Sequence, residues 1–249
     1  MINKSNIQVS VCMATFNGAR FIREQIDSIL IQLSEYDELI ISDDSSSDNT
    51  IEIIKSYADS RIVFLENNLF RNPITNFENA IKNARGEVIF LADQDDIWSS
   101  QKITMMRPLI KRHGLVLSNC SLINEDRIVL QESFFDLINS KQGLLRNLLG
   151  VNSYIGCCIG FSREVLNHAL PFPPNIPMHD IWIGVIAEWY CRPVFLEDCL
   201  VLHRIHSGNA SSTGLRSKNS LATKLFIRIQ TTRLLLTRVF VSYFRLIRK

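Results

Sequence analysis

No stretch of the chain approaches about 18 consecutive uncharged apolar residues, which excludes a helix that spans a bilayer. No Cys-x-x-Cys pair occurs either. The six cysteines, Cys12, Cys120, Cys157, Cys158, Cys191 and Cys199, lack the spacing of a structural zinc site. Several lie in apolar runs, where a thiol behaves as a small hydrophobe. Free thiols in a reducing compartment follow. The first residues, MINKSNIQVSV, hold no apolar segment ahead of the first strand-like run, so no signal peptide is expected and a cytosolic protein is. Internal repeats are absent. So is acid at one end: from Cys199 to Lys249 there are ten Lys or Arg and no Asp or Glu. The chain as a whole has 27 basic and 25 acidic side chains, so residues 1–198 keep 17 basic against 25 acidic, a net of −8. An acidic body argues against nucleic acid as a partner, and a basic end suggests contact with something anionic.

What is present is a 249-residue chain, 46% hydrophobic, with room for one large core. Its first half alternates between two hydrophobic periods. Gln8–Met13, Glu38–Ser42, Arg61–Leu65 and Glu87–Ala92 read as strands. Between them, Ala19–Leu33 has apolar residues at three- and four-residue steps. Asp48 caps a helix through Ile51, Ile54 and Tyr57, and Ile74–Ala84 forms a helix closed by Gly86. Near-continuous apolar strands separated by helices predict an α/β fold with a mostly parallel sheet covered on both faces. The second half is less regular. Leu115–Asn119, Ser121–Ile123 and Val194–Leu202 read as strands, and Leu144–Asn152 as helix into loop. PFPPNIP at 171–177 is an extended connector. Ile181–Trp189 reads as a helix and His206–Thr213 as a flexible loop. In open α/β sheets ligands bind beyond the carboxyl ends of the strands. Three polar segments lie at such ends: 14–18, 43–45 and 93–96.

The last of these, in FLADQDDIW (90–98), places Asp93, Asp95 and Asp96 directly after an apolar strand and before Trp98. Carboxylates this close repel one another. They can share a divalent cation, act as an acid–base pair, or cap a helix and face water. A hard cation relieves the repulsion with few protein ligands and completes its shell with water and phosphate oxygens. A calcium loop is excluded, because counts from Asp93 or Asp44 put no glycine at the sixth position and no acid at the twelfth.

The segments VCMATFNGARFIREQIDSIL, LIISDDSSSDNT and FLADQDDIW, in that order, resemble the family 2 glycosyltransferases of GT-A fold over about residues 7–210. The form DQDDIW is most similar to transferases of bacterial surface polysaccharide, including rhamnosyltransferases. The resemblance implies a Rossmann-like GT-A domain over 1–215, with a nucleotide-binding half to about 115 and an acceptor half from about 116. It implies an inverting, metal-dependent transfer of a sugar from a UDP- or dTDP-linked donor to a hydroxyl of a lipid-linked saccharide, in O-antigen or capsule assembly. By resemblance, Ala14, Thr15 and Asn17 contact the nucleotide, and Asp44 reads the pyrimidine N–H. Arg71 approaches the base or phosphates. Asp93 faces the ribose and donor sugar, Asp95 with Asp93 holds Mn²⁺ or Mg²⁺, and Asp96 contacts the donor sugar. IGCCIGFSREV matches a segment that opens the acceptor cleft and nominates Cys157. MHDIWIGVIAEW nominates Asp180 as catalytic base, with His179 as the competing base and Trp182 on the acceptor side. LHRIHSGNAS matches an R-x-H-x-x-N loop over the diphosphate, with Arg204, His206 and Asn209. His203 stands where Tyr is common, and Asn119 where many relatives carry Asp.

Residues 216–249 are expected to form a basic amphipathic helical tail. At 100° per residue Lys224, Arg228, Arg238, Arg245 and Lys249 share one sector, Arg233 and Arg248 fall outside it, and Leu, Ile, Val and Phe lie opposite. One reading places the tail on the anionic inner face of the plasma membrane. The other packs it on the domain or on a second copy of the chain, as a homo-oligomer. Two rival functions remain at this point. A nucleotidyltransferase also uses clustered acids, although TFNGARF is a poor match to its Gly-rich basic loop. A non-catalytic sugar-nucleotide binding module would lack the base.

Overall fold

The computed structural model describes residues 7–150, 152–209 and 220–247. Part of the expected loop at 206–213 and the tail residues Arg248 and Lys249 lie outside the described residues, as does the side chain of Arg245. Four strands open the fold: β1 (Val9–Thr15), β2 (Asp37–Asp43), β3 (Ile62–Leu65) and β4 (Val88–Ala92). They are linked by α1 (Ile22–Leu30), α2 (Thr50–Lys55) and α3 (Pro73–Asn83). Their order is β3-β2-β1-β4 and every pairing is parallel. β4 is buried throughout and is an unbroken apolar run, whereas the equally buried β2 is apolar only over residues 39–41, its Asp37 and Glu38 accepting the Val9 amide at 3.0 Å and the Ser10 hydroxyl at 2.7 Å.

Beyond β4 the sheet is mixed, which corrects the expectation of a mostly parallel one. β5 (Ile97–Trp98), α4 (Lys102–His113) and β6 (Leu115–Ile123) follow β4. Next come β7 (Val129–Gln131), α5 (Phe134–Ile138), α6 (Leu144–Leu149) and a 3-10 turn at Gly156–Cys158. β8 (Ile159–Ser162), α7 (Arg163–Ala169), α8 (His179–Tyr190), β9 (Val194–Arg204) and α9 (Leu221–Ile247) complete the chain. β8 lies between β4 and β6 and is antiparallel to both. The physical reason is the connection. The chain leaves β6, passes through β7, α5 and α6 without a crossover, and must return down the sheet. The 3-10 turn therefore sits at the carboxyl end of β4, beside the acids. β9 pairs parallel with β6 and antiparallel with β5.

Several boundaries shift. β6 is one strand with irregular register around Asn119, not two. Asn119 is buried and structural: its carboxamide receives the amides of Cys120 and Phe135, at 2.9 and 3.0 Å. Ala84 rather than Gly86 closes α3. Gly86 is needed for close approach, since a Cβ there would lie 2.6 Å from the Ser10 nitrogen of β1. Asp48 precedes the N-cap position of α2, Asn49, yet its Oδ1 accepts the Thr50 amide at 3.1 Å. The chain at 171–177 contains no helix or strand, as its prolines require. α4, β5, β7, α5, β8 and α7 had no counterpart in the sequence reading.

α8 has a second close approach. Gly184 packs on the ring of Tyr154, and a Cβ there would come within 2.3 Å of it. Gly184→Ala should cost about 1–3 kcal/mol through overpacking, read as a lower urea midpoint. An unchanged midpoint would show that the ring has room to move.

Candidate active site

The carboxyl ends of β1, β2 and β4 open on a cavity of about 1020 Å³. Its near wall comes from Ala14, Thr15, Phe16, Asp44, Arg71, Asp93 and Asp95. Its far wall comes from the second half of the chain, with Tyr154, Gly156, His179, Asp180 and His203. Elements distant in sequence thus meet where the sheet topology changes from parallel to mixed.

The near wall is rigid for identifiable reasons. Asp43, fully buried, accepts the Thr15 hydroxyl at 2.7 Å and the Ser46 amide at 2.8 Å. Gln94 accepts the Phe16 amide at 2.9 Å and donates to the Phe16 carbonyl at 3.0 Å, joining the ends of β1 and β4. Asn17 adopts φ 49° and turns away: its Oδ1 accepts the Ser47 amide at 2.8 Å, and it is not a lining residue. Its work is to tie the β1–α1 loop to the β2–α2 loop. Asp44 lines the cavity, 6% exposed, and accepts the amides of Phe70 at 2.6 Å and Asn72 at 3.2 Å. It thereby fixes the 66–72 loop, which carries Arg71 at φ 49° into the lining.

Among the acids, the structure separates what the sequence grouped. Asp93 and Asp95 line the cavity. Asp96 does not; it is fully buried beneath the floor, which corrects its assignment to the donor sugar. There it accepts His203 Nδ1 at 2.9 Å and the Arg204 amide at 3.0 Å. Burial alone pushes the His203 pKa down, but the carboxylates of Asp96 and Asp93 outweigh it and raise the value to about 10. His203 is therefore an imidazolium, and its Nε2 has no partner among the described residues. Burial works against the Asp96 carboxylate, and His203 outweighs it to hold the pKa below the usual range. Asp93 moves the other way: burial first, then the charges of Asp96 and Asp95, raise it well above the usual range.

Arg204 is also corrected. It is 1% exposed and not a lining residue. Its Nε donates to the Asp95 carbonyl at 2.8 Å, and its other nitrogens reach the Glu125 carbonyl at 3.0 Å and Glu24 at 2.7 Å. Its guanidinium lies over Phe21, 4.4 Å from the ring centre. Each of its three nitrogens donates within the protein, so it braces the acidic turn instead of facing a diphosphate. His206 and Asn209 converge on Asp95 Oδ2, at 2.7 and 3.2 Å.

The far wall contains the candidate base. Asp180 lies in the first turn of α8, its Oδ1 accepting the Ile181 amide at 2.7 Å. Burial raises its pKa to about 6. It is near enough to Asp93 to help raise that group's pKa. His179, 5% exposed, stacks on Phe77 at 4.0 Å, and burial lowers its pKa to about 3. It is a neutral ring, and neither nitrogen has a partner among the described residues. Two further acceptor-side assignments are corrected. Trp182 is fully buried in the core, its indole N–H donating to the Ala169 carbonyl at 3.0 Å. Cys157 lies below the floor, its Sγ 3.5 Å from His203 Nδ1. The apolar lining of the far wall comes instead from Ile155, Met178 and Ile181, beside the motif residues, and from Phe134, Tyr154 and Ile227 outside any motif.

Two places offer cation ligands. Asp93, Asp96, Cys157 and His203 present ligand atoms within 4.8 Å of one another. That group already balances its charge, because His203 is protonated between carboxylates and burial keeps the Cys157 thiol up. Asp95 and Asp93 on the cavity side are oxygen donors beside the His206 ring, and suit a hard cation better.

A family model described as "Glycosyl transferase family 2" matches residues 10–170. Escherichia coli WfgD, a UDP-Glc:alpha-D-GlcNAc-diphosphoundecaprenol beta-1,3-glucosyltransferase, is 30% identical over 186 residues, covering 72% of this chain and 70% of its own. WfaP of the same organism, with the same described activity, is 27% identical over 82% of this chain and 80% of its own. Among solved structures, Staphylococcus aureus TarS 1-349 in complex with UDP-GlcNAc superposes with a TM-score of 0.67 at 19% identity. The match covers 93% of this chain and 66% of that one. The mannosyltransferase PcManGT of Pyrobaculum calidifontis, in complex with GDP-Man and Mn2+, gives a TM-score of 0.63 at 20% identity. It covers 81% of this chain and 58% of that one. These structural likenesses concern the fold.

Proposed function

The chain belongs to glycosyl transferase family 2 and is a glycosyltransferase, and from that premise we propose that it moves a sugar, with inversion, from a UDP- or dTDP-linked donor to a hydroxyl of a lipid-linked saccharide in bacterial surface-polysaccharide assembly. The observation that carries this reading is the opposition, across one cavity, of Asp93 and Asp95 on the near wall and Asp180 on the far wall. The names of the two Escherichia coli relatives supply the acceptor class.

The near half, to about residue 115, takes the nucleotide. Ala14, Thr15 and Phe16, with Asp44 and Arg71 of the same wall, take the base. Asp44 keeps lone pairs free beyond the two amides it accepts and serves as acceptor for a pyrimidine N–H. Mn²⁺ or Mg²⁺ held by Asp95 and Asp93 would supply positive charge against the diphosphate. His203 adds a fixed positive charge from below, and its unpartnered Nε2–H is available to an oxygen of the donor. In the half from about residue 116, Asp180 takes the proton of the acceptor hydroxyl as that oxygen attacks the anomeric carbon from the face opposite the leaving diphosphate. A single displacement inverts the centre. His179 is neutral and buried, and orients a hydroxyl with its free nitrogens.

The test is transfer from a panel of UDP- and dTDP-sugars to an N-acetylglucosaminyl-diphosphate lipid. One donor should give product. EDTA should lower the rate by about tenfold or more, and added Mn²⁺ should restore it. Transfer that is indifferent to EDTA would remove the metal from the reading, and no transfer from any donor would remove the substrate class.

A further inference from the structure

The C-terminal helix is amphipathic in an inverted sense. On α9 the basic sector faces the protein. Arg228 donates to the Gly150 carbonyl at 2.8 Å, and Arg238 donates to the carbonyls of His168 and Leu170 at 3.1 and 2.7 Å. Thr231 and Leu235, in the same sector, are 3% and 2% exposed. The apolar sector faces outward: Leu225, Phe226, Ile229 and Leu236 are each more than half exposed. These four fall within about 100° of one another on a helical wheel. Beside them, at the end of α6 where Arg228 docks, Leu145 and Leu149 are 70% and 60% exposed. Scattered exposed leucines need no explanation, but a contiguous set on two touching helices does.

Two features say what covers it. The first is charge. The chain has no acid from Cys199 onward, and Arg233 is exposed within the apolar sector. The second is position. Ile227 lines the active-site cavity, while its neighbours Phe226 and Ile229 face outward on the same turns. No helix among the described residues is long and apolar enough to cross a membrane. We infer that the outward face of α9, together with Leu145 and Leu149 of α6, docks on an anionic lipid bilayer and sets the mouth of the cavity at the membrane surface. A helix of this kind lies in the interface plane with its apolar side among the acyl chains, and Arg233 reaches from that side to the headgroups. The inference gives purpose to the proposed lipid-linked acceptor, whose sugar would reach Asp180 without leaving the bilayer, but its evidence is independent of that reading.

Flotation of the full chain with vesicles separates the two. The chain should float with vesicles of phosphatidylcholine containing phosphatidylglycerol, and less with phosphatidylcholine alone. Phe226→Glu/Ile229→Glu should lower partitioning by roughly tenfold or more per side chain. Neither residue touches the cavity, so donor hydrolysis and far-UV circular dichroism should stay as in the wild type. A wild-type chain that stays at the bottom of the gradient, or a variant that floats equally, would overturn the inference. So would a dimer in size-exclusion light scattering that the same substitutions dissolve, since the face would then join two copies. Flotation without any glycosyl transfer would support docking while refuting the proposed reaction.

Discussion

Asp180→Asn should lower kcat by roughly 10²–10⁴-fold, the contribution of a general base, while donor affinity stays close to wild type. The residue sits across the cavity from the near-wall carboxylates, so removing its charge leaves the nucleotide side intact. Its pKa of about 6 also sets a pH dependence. The base acts ionised. Transfer should therefore be level above about pH 7 and fall tenfold per unit below pH 6. The neighbouring candidate, His179, has its pKa lowered to about 3, and a reaction driven by it would show no limb near 6. The pH–rate profile thus distinguishes two adjacent residues that mutagenesis alone could confuse. A profile flat from pH 5 to 8, or an Asn variant with wild-type kcat, would remove Asp180 from the mechanism.

The sequence was most informative where chemistry and backbone coincide over a few residues. The turns after β1, β2 and β4 are short, and the acids in them stay near the strand ends whatever the rest of the chain does. That made Asp44, Asp93 and Asp95 legible, and likewise Asp180 at the start of a helix. Side-chain direction was less legible, because tertiary contacts set it. Asp96 adjoins Asp95 in sequence yet faces His203 under the floor. Adjacent residues of a strand point to opposite sides, so His203 lines the cavity while Arg204 turns back to Glu24. The alternation along β9 held that signal, and the motif match overrode it by aiming Arg204 at the diphosphate. α4 escaped notice for another reason. Pro108 lies inside it, where a proline in the sequence argues against a helix, and it begins with Lys102, which is fully buried over the Trp98 ring at 3.8 Å. A buried lysine does not register in a hydrophobic pattern. The helical period of the tail is legible in the sequence but its packed side is not, since arginines can be the packed side when backbone carbonyls receive them.

The question raised by FLADQDDIW, what offsets its charge, has a protein-based answer in His203, and that answer carries a large stability effect. His203→Ala should destabilise the fold by about 3–5 kcal/mol, because it strands the Asp96 carboxylate in a fully buried position. For a chain of this size the melting temperature should drop by about 10 °C. Adding Asp96→Asn to the same variant removes the stranded charge and should recover part of the loss, a coupling that a double-mutant cycle isolates. The pH dependence has a defined sign. The His203 pKa is raised in the folded chain from 6.5 to about 10, so its contribution is complete below about pH 6.5 and fades as pH rises toward 10. Asp96 has a lowered folded pKa, and its contribution is present above its ordinary 3.8 and fades as pH falls below it. The pair therefore stabilises most between about pH 4 and 6.5. Urea midpoints of the wild type should decline from pH 6.5 to 9, and those of His203→Ala should be nearly level over the same span. Parallel declines in both proteins would mean that the imidazolium is not the positive charge that Asp96 relies on.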